Sequence, residues 1–227
     1  MNAFVLGATG YVGRAVVEQL AAAGDGVVAH VRPDSPRLQQ WQERFEGFGA
    51  TTDASPFDRD VLRDRFAALQ IDAVFALLGT TRERGGDYMA VDYGLTRVAL
   101  DAALEQERPP RFIYLSSLGA GSPGRGAYLE ARTRFEADLL ASGLNGVIAR
   151  PSFITGPGRD QVRVGERIAG AVTDVGLAPL AWIGLGGRRD RLRSIDNQQL
   201  AAGLIAVARQ PGDGVSIHYA DTLRPKG

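Results

Sequence analysis

Short apolar runs alternate along the chain with longer stretches in which apolar residues recur every three or four positions. The short runs are apolar on both sides, which is typical of parallel strands covered by helices on each face. The longer stretches have the period of amphipathic helices. The pattern predicts strands at 3–7, 27–31, 72–79, 111–117 and 146–151, a weaker strand at 49–53 and a final strand at 214–220.

The same pattern predicts helices between these strands. Alternating β and α units indicate an α/β fold, a Rossmann-like doubly wound parallel sheet with helices on both faces. No linker or repeat divides the chain, so we expect one domain over residues 1–227. Residues 155–194 are rich in Gly and Pro, and we expect a small C-terminal substrate-facing segment there. The predicted helices are 11–23, 58–69, 88–106, 126–142, 161–175 and 196–209.

Composition narrows the range of functions. The 26 basic and 26 acidic residues balance, which argues against a nucleic-acid partner or an acidic membrane surface. The chain has no cysteine and two histidines, so thiolate catalysis is excluded and we expect no metal site. The start of the chain has no signal-peptide pattern, and no run of apolar residues is long enough for a membrane helix. A cytoplasmic protein is the expectation.

The sequence "VLGATGYVG" has three glycines, Gly7, Gly10 and Gly13, at the junction of the first strand and the first helix. Glycines allow a sharp turn and a close approach of backbone N–H groups to a phosphate. A helix that begins near Tyr11 offers N–H donors and partial positive charge to a pyrophosphate, and the Thr9 hydroxyl can add a hydrogen bond. The alternative is a tight turn that binds no ligand.

The ends of the next strands predict which dinucleotide binds. Arg32 stands where NAD-specific sites usually have a carboxylate, and a guanidinium fits a 2′-phosphate, so NADP(H) is favoured over NAD(H). Asp34 could bond the ribose instead, and Arg32 could be merely solvated. Asp53 is a candidate for an adenine contact or for capping a turn. Leu78 and Gly79 end the fourth strand, where glycine lets a cofactor pass close to the backbone.

The stretch "YLEAR" places Tyr128 and Arg132 on one face of a predicted helix, about 40° apart at 100° per residue. This face is apolar, so a buried Arg132 needs a partner, either a cofactor or a carboxylate, unless its head reaches solvent. A cation beside Tyr128 favours the phenolate and lowers the tyrosine pKa from about 10, as a general acid/base requires. Ser116 and Ser117 follow the preceding strand and either orient a substrate oxygen or make structural hydrogen bonds.

These motifs together resemble the atypical short-chain dehydrogenase/reductase superfamily. Within it the chain looks most like the Tat-interactive-protein (CC3)-like NADPH-binding oxidoreductases and their bacterial relatives. The resemblance runs from about residue 3 to about residue 224, with "LGTTR" and the Arg-Pro pair after the strand at 146–151 as the more specific cues. The motifs are "GATGYVG" (7–13), Arg32, "LLGTTR" (77–82), "YLSS" (114–117), "YLEAR" (128–132) and "ARPSFITGPGRD" (149–160).

The resemblance implies a set of cofactor and catalytic residues. It implies Tyr128 as the acid/base, Arg132 as the ribose-binding cation, and a backbone contact of Ile154 with the nicotinamide. It also matches Arg163 to a family arginine that faces the cofactor or substrate. Family members usually have lysine at position 132, and arginine cannot release a proton in a relay. The implied NADP(H) contacts are Thr9, Gly10, Tyr11, Val12, Arg32, Leu78 and Gly79.

Two functions remain open at this point. The first is an NADP(H)-dependent reductase or dehydrogenase for a small carbonyl or alcohol, in which Tyr128 exchanges the proton, Ser117 orients the oxygen and Arg132 holds the ribose. The second is a non-catalytic NADPH-binding regulator or redox sensor with a protein partner, which the missing lysine favours. A flavin reductase or an epimerase ranks below both, since epimerases of this class usually have longer chains.

Overall fold

The computed structural model describes residues 1–80, 87–121, 126–155 and 194–224. A π-helical segment, Met89–Leu95, runs directly into helix α4. The helices are α1 (Tyr11–Ala22), α2 (Leu38–Glu46), α3 (Arg59–Ala68), α4 (Thr96–Leu104), α5 (Gly126–Ala141), α6 (Asn197–Arg209) and α7 (Ala220–Leu223). The strands are β1 (Asn2–Leu6), β2 (Gly26–His30), β3 (Thr51–Asp53), β4 (Ala73–Ala76), β5 (Arg111–Leu115), β6 (Gly146–Arg150), β7 (Ile154–Thr155), β8 (Ile195–Asp196) and β9 (Val215–Tyr219).

Seven of these strands form one sheet in the order β3-β2-β1-β4-β5-β6-β9. Every neighbouring pair in this sheet is parallel. The order reverses between β1 and β4, the position at which open α/β sheets bind ligands outside the carboxyl ends of their strands. Strands β7 and β8 form a separate parallel pair. The predicted Rossmann-like doubly wound sheet is confirmed.

The alternation of side chains along each strand divides the core into two layers. In β1, Ala3 and Val5 lie in one apolar cluster, and Phe4 and Leu6 lie in the other. Helices α1, α2 and α6 cover the first layer, and helices α3, α4 and α5 cover the second. Both faces of the sheet are therefore buried, which explains why its strands read as unbroken apolar runs.

The observed helices differ from the predicted ones after β2 and after β4. Helix α2 was not predicted, because its apolar positions are few and it follows a turn-forming stretch. The predicted helix 88–106 is present, but its first half is π-helical. The predicted helix 161–175 and most of the expected substrate-facing segment lie outside the described residues. Within the described ranges, no helix combines the length and apolarity that crossing a membrane requires.

Candidate dinucleotide site and active site

The glycine loop lies at the carboxyl end of β1, against the end of β4. Gly7 has φ of +76°, and a Cβ there would lie 2.7 Å from the carbonyl oxygen of Leu77. A Cβ at Gly13 would lie 2.2 Å from the carbonyl oxygen of Gly7. The Gly10 N–H donates to that same carbonyl at 2.9 Å. Glycine is therefore required at 7 and 13 for the turn and for the approach of α1 to it.

Helix α1 begins above this loop without a side-chain cap at Gly10. The N–H groups of a first helical turn have no partner within the helix, so they suit a phosphate group. The Val12 side chain is buried, so only its backbone can contact a ligand. The Thr9 side chain is half-buried, so its hydroxyl can also contact one. The Tyr11 hydroxyl donates to the carbonyl oxygen of Thr155 at 3.2 Å. The loop is thus tied to the β7–β8 pair, and its geometry fits a dinucleotide.

Arg32 and Asp53 lie at neighbouring strand ends but differ in environment. The Arg32 side chain is 69% exposed and stands 3.9 Å from the Asp34 carboxylate. Asp53 is buried and accepts hydrogen bonds from the Ser55 N–H at 2.9 Å, the Ser55 hydroxyl and Arg65 Nε. Burial opposes its ionisation, but these donors outweigh burial and lower the Asp53 pKa. Its observed contacts are those of a turn cap, and the adenine contact stays a prediction.

Three arginines on α1, on α2 and directly before α2 lie near one another, and we call them the arginine cluster: Arg14, Arg44 and Arg37. The guanidinium carbons of Arg14 and Arg37 lie 6.0 Å and 5.6 Å from the Trp41 ring centroid. Burial, followed by the charges of Arg44 and Arg37, lowers the pKa of Arg14. None of the three is ion-paired with a carboxylate in the described ranges. Crowded cations of this kind favour a bound anion.

Arg132 is buried at the junction of β4, β5 and α5. Its Nη2 donates to the Asp92 carboxylate at 2.7 Å and to the carbonyl oxygen of Leu78 at 2.9 Å. Its Nη1 donates to the carbonyl oxygen of Leu115 at 2.8 Å and to the Tyr114 hydroxyl at 3.3 Å. Helical phase predicted a buried face and a partner for this arginine, and within the described residues that partner is a carboxylate. The ribose contact stays a prediction.

The electrostatics of this junction keep Arg132 charged. Burial opposes its charge, but Tyr114, Tyr128 and Asp92 outweigh burial, so the Arg132 pKa lies above its ordinary value. Burial also raises the pKa of Tyr114 to about 12, although the neighbouring guanidinium opposes this. Arg132 therefore supplies a fixed positive charge and takes no part in proton transfer.

Tyr128 is half-buried beside this charge. The guanidinium carbon of Arg132 lies 5.3 Å from the Tyr128 ring centroid, and the Tyr88 ring contacts Tyr128 edge-on at 5.4 Å. Gly79 is exposed, and a Cβ there would lie 3.1 Å from Arg132 Nη2. The structure therefore brings Tyr128, Arg132, Leu78 and Gly79 together, as the sequence predicts.

The two serines after β5 have different surroundings. Ser116 is buried and donates to Glu136 at 2.5 Å, and Arg150 Nε donates to the same carboxylate at 2.9 Å. Of the two roles that the sequence leaves open for Ser116, the structure therefore shows the structural hydrogen bond. Ser117 is half-buried, with its hydroxyl 3.4 Å from the carbonyl oxygen of Leu118, and it remains the candidate for orienting a substrate.

Sequence reasoning missed several residues of the site. Glu136 follows Arg132 by one helical turn on the buried face, so its position was predictable from phase. Asp92 had no such indication, because the π-helical segment changes the phase of its helix. Ile154 lies half-buried in β7, where its nicotinamide contact stays a prediction, and Arg163 lies outside the described residues.

The chain is similar in sequence to several known proteins. The chain is 28% identical over 160 residues to protein FMP52, mitochondrial, of Debaryomyces hansenii, covering 69% of this chain and 68% of that protein. It is 26% identical to the mitochondrial NADH dehydrogenase [ubiquinone] 1 alpha subcomplex subunit 9 of Arabidopsis thaliana, over 96% of this chain and about half, 52%, of that protein.

The fold and the family are shown by two further findings. A short-chain type dehydrogenase/reductase from Mycobacterium ulcerans superposes with a TM-score of 0.67 at 19% identity, covering 98% of this chain and 90% of that one. A family model described as NAD(P)H-binding matches residues 7–175. The closer resemblance to the CC3-like subgroup stays a prediction. With its glycine loop at the first β–α junction of a parallel Rossmann-like sheet, the chain belongs to the NAD(P)H-binding family.

Proposed function

We propose that this protein is an NADP(H)-dependent oxidoreductase of the atypical short-chain dehydrogenase type, acting on a small carbonyl or alcohol. The main support is the half-buried Tyr128, which packs against the permanently charged guanidinium of Arg132 at the carboxyl end of the sheet. The glycine loop lies at the same edge, so one extended ligand can reach from the loop to the tyrosine.

The preference for NADP(H) rests on the basic residues near the start of α1 and the end of β2. Arg32 is exposed and its nearest carboxylate, Asp34, is 3.9 Å away. The arginine cluster adds three more guanidiniums on the two helices beside the glycine loop. A 2′-phosphate carries the negative charge that such crowded cations favour, and the 2′-hydroxyl of NAD(H) does not.

Each residue of the candidate active site has one role in the proposed reaction. A bound nicotinamide supplies or accepts the hydride at the substrate carbon. Tyr128 gives a proton from its phenol oxygen to the carbonyl oxygen during reduction, or takes it back during oxidation. Ser117 orients that oxygen with its hydroxyl. Arg132 acts through its fixed charge alone, because its guanidinium keeps its protons.

The Tyr128→Phe variant tests this assignment. We expect turnover in a panel of small aldehydes and ketones to fall by about 100-fold or more, since general acid catalysis contributes about 10²–10⁴. NADPH affinity should stay within about two-fold by fluorescence titration, because phenylalanine keeps the ring. Tyr88→Phe, at the ring that contacts Tyr128, is the matched control and should retain turnover. Unchanged turnover in Tyr128→Phe would remove Tyr128 as the acid.

The second candidate is a non-catalytic NADPH-binding regulator or redox sensor. It is favoured by Arg132, which stands at the position where a proton relay uses lysine. Its guanidinium is held by hydrogen bonds to Asp92, Leu78 and Leu115. Tight NADPH binding without turnover in the carbonyl panel, together with a partner affinity that depends on the redox state of the nucleotide, would support it. Turnover that requires Tyr128 would exclude it.

A further inference from the structure

Asp92 is a fully buried carboxylate that neither the glycine loop nor the tyrosine mechanism requires. Its Oδ1 accepts from Arg132 Nη2 at 2.7 Å. Its Oδ2 accepts from the backbone N–H of Thr80 at 3.0 Å. A single side chain therefore connects helix α5 to the backbone that follows β4.

Leu78, Gly79 and Thr80, which follow β4, lie against the Asp92–Arg132 pair. The carbonyl oxygen of Leu78 accepts from Arg132, and the Thr80 N–H donates to Asp92. A Cβ at Gly79 would lie 3.1 Å from Arg132 Nη2 and 3.7 Å from Asp92 Oδ1, so the backbone lies directly against the pair. We call Leu78–Gly79–Thr80 the β4 turn. Gly79 itself is exposed, so the buried pair supports a surface that a ligand can contact.

Arg132 has little capacity left for a ligand. A guanidinium has five N–H donors, of which four are on the two terminal nitrogens. Nη1 donates to Tyr114 and Leu115, and Nη2 donates to Leu78 and Asp92. In the described part of the chain Nε is buried with no acceptor, so it is the donor still available.

The π-helical segment accounts for the position of Asp92. Residues Met89–Leu95 form a wider turn just before α4, and the Thr96 hydroxyl donates to the Asp92 carbonyl oxygen at 2.8 Å. Segments of this kind are rare in helices and occur frequently at functional sites. Here the segment carries Asp92, the counter-ion of Arg132.

We propose that Asp92 is a positioning residue for the dinucleotide site. Through Arg132 and the Thr80 N–H it fixes the β4 turn in the shape that receives the cofactor. Arg132 then serves as an internal clamp between β4, β5 and α5, and its terminal nitrogens do not bind the ribose. The inference rests on the proposed function to the extent that the β4 turn borders NADP(H).

A double variant, Asp92→Leu with Arg132→Met, tests the clamp without leaving one buried charge unpaired. Replacing a buried ion pair by apolar residues of similar volume is often neutral for stability, whereas breaking it by removing one partner is costly. We expect this variant to fold, with the Thr80 amide exchanging hydrogen at least ten-fold faster than in the wild type. The Leu77 amide, which donates to Leu6 within the sheet, should keep its protection.

NADPH titration of the same variant supplies the functional readout. We expect its Kd to rise at least ten-fold in a variant that still unfolds cooperatively. The unfolding temperature should fall, because the carbonyl oxygens of Leu78 and Leu115 lose their donor. Asp101→Asn is the control, because Asp101 is a half-exposed ion-pair partner of Arg97 within helix α4. It should change neither the NADPH Kd nor the exchange rate of the Thr80 amide. If the double variant does not fold, Asp92→Asn is measured at low temperature with the same two readouts.

Three results separate the possible outcomes. Wild-type protection of Thr80 and wild-type Kd in a folded variant would overturn the positioning role. Fast exchange at Thr80 with a weakened Kd would support it. A wild-type protein that binds neither NADPH nor NADH would overturn the proposed function, while the Thr80 exchange would still decide whether Asp92 holds the β4 turn.

Discussion

At the scale of single residues, the arginine in "YLEAR" determines how the site is built. A lysine at position 132 would carry three N–H donors on one atom, whereas the guanidinium donates to two strand ends and a carboxylate at once. Its acceptors lie on Leu78, Leu115 and Asp92, which belong to three different segments of the chain. The arginine is therefore a structural adaptation of the site as well as a fixed charge.

The Arg132→Lys variant is expected to be less stable than the wild type. Lysine leaves at least one buried acceptor without a donor, which costs about 1–3 kcal/mol in free energy of unfolding. Urea denaturation measures the loss, and Arg134→Lys on the charged face of the same helix is the control. An unchanged stability combined with a gain in turnover would instead show that lysine is the better residue at this position.

At the scale of elements, helices α1 and α2 together present the arginine cluster. Periodicity gave α1 but not α2, since α2 is nine residues long and Phe45 is its one fully buried residue. The burial of Trp41 and Phe45 against the core beside α1 stabilises α2 more than its own sequence does. The cluster was missed for the same reason, because Arg14 and Arg37 become neighbours only when the two helices pack.

Neutralising two members of the arginine cluster should reduce the discrimination between the two nucleotides. In the Arg14→Gln, Arg37→Gln variant we expect NADPH affinity to fall about ten-fold or more, because charge-assisted contacts to the 2′-phosphate are lost. NADH affinity should change less than about two-fold. Fluorescence titration with both nucleotides measures this, and Arg59→Gln on α3 is the control. Equal losses for both nucleotides would contradict a 2′-phosphate site.

At the scale of the whole molecule, the parallel sheet gathers its functional groups at one edge. The glycine loop follows β1, Arg32 follows β2, the β4 turn follows β4, and Ser117 follows β5. Carboxyl ends of parallel strands meet at the same edge, so distant parts of the chain form one site. His30 and Asp53 are buried polar residues that end β2 and β3 at this edge.

The stability of the molecule is expected to fall in mildly acidic solution. Burial lowers the pKa of His30 from its ordinary value of 6.5, although a contact with Ser55 and the charge of Asp53 oppose this. A group with a lowered pKa binds its proton more readily when the chain is unfolded. Its contribution to stability is therefore present above pH 6.5 and is lost as the pH falls through the lower folded-state value.

Urea denaturation between pH 8 and pH 5 measures this effect. The free energy of unfolding should decrease below about pH 6.5, by at most about 1.4 kcal/mol per pH unit for one proton. His30→Asn should flatten this decrease, whereas Asp34→Asn, at an exposed position, should not. The same slope in His30→Asn and in the wild type would assign the proton uptake to another group.

The sequence by itself determined the parallel sheet, the glycine loop and the shared face of Tyr128 and Arg132. Each of these depends on local periodicity, or on a backbone geometry that only glycine adopts. Only the tertiary structure decided that Asp92 is the counter-ion of Arg132 and that Ser116 donates a hydrogen bond to Glu136. It also decided that Arg14 and Arg37 both contact the Trp41 ring. The contacts of Asp92 with Arg132, of Ser116 with Glu136 and of Arg14 with Trp41 join residues that are 20 or more positions apart. Packing between elements therefore sets them, and no local pattern records that packing.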